Sequence, residues 1–147
     1  MADETNQLRV RLVTPERTLF EHAAAAVELP AKNGYFEVLY GHAPLVAELG
    51  AGDVIIHGGA EVEAGAPESE LRYNVSWGFV EVLGDRVTIL ASDALKPEEI
   101  DVARANEQLV RGNKEWSEAG DSADAYTKAL SVIHEAEAKL ASAAEKR

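Results

Sequence analysis

The sequence predicts an α+β protein, in which an N-terminal antiparallel β-sandwich is followed by a C-terminal antiparallel two-helix hairpin. Two observations support this fold class. Short apolar runs with a period of two fill the N-terminal part of the chain, and from Pro97 onward apolar residues recur every three or four positions. Because the hydrophobic period changes once, we expect two domains, a sandwich over residues 1–91 and a hairpin over residues 92–147.

Turn signals separate the predicted strands at short intervals. Leu8, Val10 and Leu12 alternate with mostly polar neighbours, which is typical of a strand with one solvent-facing side. A turn cluster occupies residues 32–34, and residues 84–85 read Gly-Asp between two apolar runs. A two-residue loop of this kind predicts a hairpin with a primed turn. Many short strands separated by turns predict an antiparallel sandwich or barrel.

Helix signals begin at Pro97, which suits a first helical position and is followed by two glutamates near the positive end of the helix dipole. Gly120 is expected to end the first helix, and Asp121 or Ser122 to cap the second. The apolar ladders of the two helices are Val102, Ala105, Leu109, Gly112 and Trp116, then Tyr126, Ala129, Ile133, Ala136, Leu140 and Ala143. Many of these residues are small and bury little apolar area, so we expect a weakly held hairpin that is able to undock or extend.

Composition excludes several classes of function. A formal net charge of -12 and an isoelectric point near 4.7 argue against binding of nucleic acid or anionic lipid, since both partners need a basic footprint. We also expect no direct insertion into lipid. The chain has no cysteine, which excludes disulfides and thiolate metal sites. It also lacks an apolar run of the ~18 residues that a membrane span needs. We therefore expect a soluble intracellular chain.

Chemistry-bearing motifs are missing from the sequence. The four histidines are scattered, with none spaced to share a metal ion with another. Phosphate-cradling glycine loops, nucleophile elbows and catalytic cysteines do not occur. The sequence therefore predicts no catalytic residue, no metal site and no required cofactor.

Two motifs carry a resemblance to a known family. The stretch from Gly34 to Pro44 reads G-x-F-x-V-L-x-x-H-A-P, and residues 100–105 read I-D-x-x-R-A. At this spacing and in this order the chain resembles the epsilon subunit of bacterial F-type ATP synthases, called delta in mitochondria. Two residues depart from the family pattern, because Glu37 and Trp77 stand where relatives commonly have glycine.

The resemblance implies a non-catalytic rotor subunit on the cytoplasmic face of the bacterial inner membrane. It would help proton-driven rotation of the c-ring drive ATP synthesis, with the sandwich docked on the gamma subunit and the c-ring. The interface residues that it implies are Lys32, Gly34, Tyr35, Gly41, His42, Ala43, Pro44 and Trp77. His42 has two interpretations: it faces the ring, or it only satisfies backbone groups of its own turn. Trp77 either adds contact to a partner or packs in the core.

The resemblance also implies that the hairpin contacts the alpha/beta head when extended and inhibits ATP hydrolysis. In some relatives the folded hairpin binds ATP, and the matching positions here are Ile100, Asp101, Arg104, Ala105 and Lys128. An ordinary ion pair between Asp101 and Arg104 is the alternative interpretation of their spacing. Relatives present two arginines on the second helix where this chain has Lys128 and Val132, so we expect weak or absent ATP binding.

A different class of function stays open at this point. The chain could be a free-standing β-sandwich module that binds other proteins, with the helices serving as a dimerisation device. The two hypotheses differ in their partners, because only the rotor hypothesis requires gamma and c-ring subunits.

Overall fold

The computed structural model describes residues 6–58 and 70–144. Seven strands lie in the N-terminal part: β1 (Leu8–Val13), β2 (Thr18–Ala24), β3 (Ala26–Ala31), β4 (Gly34–Leu39), β5 (Leu45–His57), β6 (Glu70–Leu83) and β7 (Arg86–Leu95). A 3₁₀ turn (Pro97–Glu99) precedes two helices, α1 (Val102–Glu118) and α2 (Ala123–Ala144). The predicted fold class is confirmed.

The strands form one hydrogen-bonded sheet in the order β2-β1-β7-β6-β5-β3-β4. Strand β1 pairs antiparallel with β2, β3 with β4 and β5, and β5 with β6. By contrast, β1 runs parallel to β7, with Val10 opposite Val87 and Leu12 opposite Ile89. The predicted two-residue loop joins β6 to β7, and Gly84 has a φ of +63°. Positive φ at the first loop position is a feature of a primed turn, so the local chemistry of this loop was predicted correctly.

The long strands β5 and β6 each contribute to both layers of the sandwich. In β6 the buried apolar residues are Tyr73 and Val75 in the first half, then Val80 and Val82 in the second half. This shift from odd to even positions turns the opposite side of the strand toward the core. Residue Trp77, where the shift occurs, has a φ of +52°. The first layer therefore contains β2, β1, β7, the end of β6 and the start of β5. The second layer contains the start of β6, the end of β5, β3 and β4.

The core between the layers is apolar. All seven strands contribute large, fully buried side chains, among them Phe20, Leu8, Leu12, Leu29, Leu49 and Ile56. Leu8, Val10 and Leu12 are buried as the alternation predicted, and Arg9 and Arg11 face outward. Burial of a large aliphatic side chain is worth about 1.5–3 kcal/mol, so this core supplies the main stabilisation of the sandwich.

The helical part begins later than Pro97. Pro97 opens only the 3₁₀ turn; Ile100 and Asp101 are extended, and α1 starts at Val102 with Asp101 as its N-cap. At the other end of α1, Gly120 adopts a φ of +56° and the Ser122 hydroxyl accepts from the Ala125 backbone N–H at 3.2 Å. Of the two predicted caps for α2, Ser122 is therefore the one that this hydrogen bond supports.

The hairpin seam consists mainly of small side chains, as the ladders predicted, but the ladder residues Val102, Trp116 and Tyr126 are 46%, 46% and 42% exposed and lie outside it. The buried residues are Ala105 and Gly112 in α1, and Ala129, Ile133, Ala136 and Ser142 in α2. A Cβ on Gly112 would lie 2.8 Å from Cγ1 of Ile133, so the helices approach closely where glycine stands. The chain divides into two compact units between Ala94 and Leu95, whereas the predicted domain boundary lies after residue 91. The observed boundary comes later because β7 runs on to Leu95.

Candidate interaction surface

An exposed apolar stripe lies on the outer face of the first layer. It consists of Val46, Phe79, Leu83 and Leu90, whose relative exposures are 67%, 53%, 60% and 51%. Val46 lies opposite Glu81, and Phe79 lies opposite Glu48, so acidic and apolar side chains alternate across β5 and β6. Contiguous apolar side chains on a protein surface mark contact sites for other molecules. We call these four residues the apolar stripe.

The apolar stripe was not predicted from the sequence. Toward the end of β6 the chain reads Phe79, Val80, Glu81, Val82, Leu83, with apolar residues on both phases of the alternation. A period-two pattern assigns one phase to the core and gives no reason for the other. Apolar residues at both odd and even positions of one strand are the signal that predicts such a surface stripe.

The predicted interface residues near the β3–β4 turn are exposed. Lys32 Nζ lies 3.2 Å from the Glu48 carboxylate, and Gly34 has a φ of +126°. Tyr35 is 62% exposed, yet its hydroxyl accepts from the Asp53 backbone N–H at 2.9 Å. The ring is therefore held in place across β3 while one side of it faces solvent.

The loop that contains His42 is shaped by backbone hydrogen bonds. Gly41 has a φ of +89°, and the His42 backbone N–H donates to the Leu39 carbonyl at 3.1 Å. His42 Nδ1 lies 2.6 Å from the Ala43 carbonyl oxygen. A carbonyl only accepts, so Nδ1 carries the proton and donates. This contact accords with a role inside the turn, and it leaves Nε2 for another partner.

The predicted interface residues fall into two separate groups. Residues 32–35 lie at the start of β4 and residues 41–44 follow its end, so a strand of six residues, about 20 Å, separates them. Trp77 belongs with the first group. Its position in β6 falls between the pairs Leu49–Gly78 and Ala51–Ser76, beside Gly50, whose added Cβ would lie 3.5 Å from the Lys32 Cα.

The two departures from the family pattern have different structural consequences. Trp77 is half-buried and is the one non-glycine residue with positive φ in the described segments. Such a conformation costs roughly 1–2 kcal/mol for an L-residue, which explains why glycine suits this position. Glu37 is exposed on β4 and lies directly opposite Glu28 of β3. Two carboxylates in this relation disfavour pairing unless a cation compensates.

A polar network that includes Glu28 crosses the second layer. His57 Nε2 donates to the Glu28 carboxylate at 2.9 Å, and the Arg72 guanidinium donates to Asp53 at 2.9 Å. Asn74 Nδ2 also donates to Asp53, at 3.1 Å. The sequence analysis missed this network, because its members come from three strands and only the cross-strand register brings them together.

The residues proposed for nucleotide binding are partly used by the hairpin itself. The Asp101 carboxylate accepts from the Arg104 backbone N–H at 3.1 Å, which is an N-cap contact rather than an ion pair with the guanidinium. Ile100 and Ala105 are buried at 9% and 2% exposure. Arg104 and Lys128 have exposed side chains.

The structure does not bring Arg104 and Lys128 together. Gln108 Nε2 donates to the Val132 carbonyl at 3.2 Å, which fixes the level at which the antiparallel helices meet. Arg104 lies four residues before Gln108 on α1, and Lys128 lies four residues before Val132 on α2. Because the helices are antiparallel, these two steps point in opposite directions along the hairpin. At 1.5 Å per residue, the two cations are separated by roughly 12 Å along the hairpin.

The fold and the surface define a class of protein, a β-sandwich with an exposed apolar face followed by a helical hairpin. Residues 7–97 match the family model described as ATP synthase, delta/epsilon chain, beta-sandwich domain. The chain belongs to the ATP synthase delta/epsilon chain family, and the resemblance seen in its sequence is confirmed. In the described residues, no helix is both long and apolar enough to cross a membrane.

The similar proteins cover between 74% and 95% of the chain. The ATP synthase epsilon chain of Solibacter usitatus is 37% identical over 139 residues, which are 95% of this chain and 97% of that protein. That of Koribacter versatilis is 41% identical over 110 residues, 74% of this chain and 71% of the relative. A chain in the Euglena gracilis mitochondrial ATP synthase structure shares the fold, with a TM-score of 0.74, 21% identity, and coverage of 92% of this chain and 81% of its own.

Proposed function

We propose that this chain is a non-catalytic rotor subunit of an F-type ATP synthase, and that it helps couple rotation of the c-ring to ATP synthesis. The observation that carries the proposal is the match to a bacterial ATP synthase epsilon chain over 95% of this chain and 97% of the relative. The subunit works at the cytoplasmic face of the bacterial inner membrane, as a peripheral part of the complex. It carries out no chemistry of its own, and its partners are the gamma subunit and the c-ring.

The apolar stripe is the surface that we assign to the gamma subunit. Its four side chains are about half to two-thirds exposed, so a partner that covers them removes apolar area from water at about 25 cal/mol per Å². Glu48 and Glu81 lie opposite Phe79 and Val46, so we expect the partner to present cations beside its apolar contacts. The groups at residues 32–35 and 41–44 lie at opposite ends of β4, and both are proposed contacts with the gamma subunit and the c-ring.

A pair of matched variants tests the docking surface. Phe79→Asp places a charge in the apolar stripe, and Val110→Asp places one at a side chain of α1 that is 70% exposed. We expect tagged Phe79→Asp to lose gamma during purification of the complex, while Val110→Asp retains it. Equal retention of gamma by both variants would show that the stripe is not the docking site. Absence of gamma and c-ring subunits from the wild-type preparation would favour the free-standing interaction module.

The hairpin is proposed as a regulatory element that contacts the alpha/beta head when extended. Its seam supports this, because alanine and glycine at most buried positions leave little apolar area to hold the helices together. Removing the hairpin should raise ATP hydrolysis by the assembled complex without releasing the sandwich. The deletion should begin after Leu95, because β7 runs to that residue. Unchanged hydrolysis would make the hairpin a passive clamp.

ATP is proposed to bind this chain weakly or not at all. Asp101 is engaged as a helix cap, and Arg104 and Lys128 lie roughly 12 Å apart along the hairpin axis, so no pair of these cations converges on one phosphate group. Calorimetric titration of the isolated chain with ATP tests this. A micromolar dissociation constant would contradict the proposal.

A further inference from the structure

Three arginines lie close together on the outer face of the first layer. They belong to β1 and β7, near the edge of the layer that is farthest from β5. Arg9 and Arg11 are the outward-facing residues of β1, and Arg86 begins β7. In the parallel register, Arg9 lies directly opposite Arg86, and Arg11 lies opposite Thr88. Together these side chains line a cleft of about 330 Å³, whose wall is completed by Glu21, Val10 and His22.

Among the described residues, positive charge predominates in this cleft. Glu21 is the one carboxylate among its described lining residues, and it lies 3.9 Å from Arg11, with both side chains more than half exposed. Arg9 and Arg86 have no ion-pair partner within residues 6–58 and 70–144. Like charges directly opposite one another on paired strands repel, so the register of β1 and β7 holds two guanidiniums together at an energetic cost. A bound anion would remove that cost.

We infer that this cleft binds a small phosphate-bearing anion. Guanidinium groups present several N–H donors in a planar fork that matches phosphate oxygens, and the Thr88 hydroxyl supplies a further donor from the same cleft. The net charge of the whole chain, -12, opposes the approach of an anion only weakly, because salt screens charges beyond about 8–10 Å. Within that distance the three guanidiniums outnumber the one described carboxylate of the cleft, Glu21, so the local potential is positive. This inference is independent of the proposed rotor function.

The inference is tested by titrating the full chain with pyrophosphate at constant ionic strength, with sodium chloride as the compensating salt. Binding is followed by calorimetry and by the rise in the thermal midpoint that a ligand specific for the folded state produces. We expect saturable binding, and at least a tenfold loss of affinity in the double variant Arg9→Gln, Arg86→Gln. The control is Arg111→Gln, because Arg111 is also an exposed arginine but lies on α1, 3.9 Å from Glu115. It should bind like the wild type.

Three results would overturn the inference. The first is absence of saturable binding, and the second is an equal affinity in the double variant. The third is sedimentation of the chain with phosphatidylglycerol vesicles in the absence of any response to free pyrophosphate, which would identify a lipid surface as the source of phosphate. The thermal midpoint of the ligand-free double variant provides an internal check, and we expect it to equal or exceed that of the wild type because a repulsion has been removed.

Discussion

Replacing Gly78 by alanine should destabilise the sandwich far more than a glycine substitution at an open position. Gly78 lies in β6 with a φ of +137°, a conformation that L-residues rarely adopt. An added Cβ would overlap the Leu90 carbonyl oxygen and would lie 3.1 Å from the Ala91 Cα. All of these neighbours are backbone atoms of β7, so they cannot move aside without disturbing the pairing of β6 with β7.

The magnitude is obtained by comparison with Gly34, which has a similar φ of +126° and no heavy atom within 4 Å of an added Cβ. Gly34→Ala isolates the conformational cost, about 1–3 kcal/mol. Gly78→Ala adds a backbone clash, and overpacking of this kind costs a further ~1–3 kcal/mol. An additional 2 kcal/mol would lower the thermal midpoint by roughly 8–16 °C beyond that of Gly34→Ala.

Urea unfolding followed by tryptophan fluorescence measures the difference. The two tryptophans, Trp77 and Trp116, lie in separate compact units, so a Trp116→Phe background makes the signal specific for the sandwich. Both glycine variants are compared in that background. If Gly78→Ala and Gly34→Ala lost equal free energy of unfolding, the close approach of β7 to Gly78 would not be a constraint, and this reasoning would be refuted.

Three further predictions concern other parts of the molecule. Asp101→Ala removes the N-cap of α1 and should lower the stability of the hairpin by about 1 kcal/mol, measured by far-ultraviolet circular dichroism during thermal unfolding. Gly112→Leu should force the helices apart at Ile133 and cost about 1–3 kcal/mol, with loss of the nuclear Overhauser contacts between α1 and α2; retention of those contacts would contradict the close approach. Arg72→Gln leaves the largely buried Asp53 carboxylate without its charged partner and should destabilise the sandwich by about 1–3 kcal/mol in urea, while the exposed Arg111→Gln should change little.

Much of the fold could be predicted from the sequence because local rules and tertiary structure agree there. Burial imposes a period of two on β1 and a period of three to four on the helices, and both periods are visible in the sequence. The loop at residues 84–85 is visible because its turn needs glycine at a positive φ. The start of α1 was placed too early because Pro97 and its two glutamates satisfy the same rules in a single 3₁₀ turn. These start signals alone do not distinguish a single 3₁₀ turn from the first turn of a longer helix.

The candidate site was less accessible to sequence reasoning. The motif from Gly34 to Pro44 is continuous along the chain, yet its two ends are separated by the length of β4. The apolar stripe and the arginine cleft each combine strands that are distant in sequence, and their composition depends on register and on the sheet order. Pairing of Arg9 with Arg86 in particular follows from a parallel contact that alternation alone does not predict.

That parallel contact between β1 and β7 governs the order in which the sandwich is completed during synthesis. Arg9 and Arg86 are 77 positions apart (86 − 9), so the first strand leaves the ribosome long before its central neighbour exists. Until then β1 has only β2 beside it, and its other edge offers unpaired peptide groups to any extended segment nearby. Closure of so long a loop makes folding slow compared with helical proteins of this size. The nascent subunit is therefore most open to mispairing just before its last strand emerges.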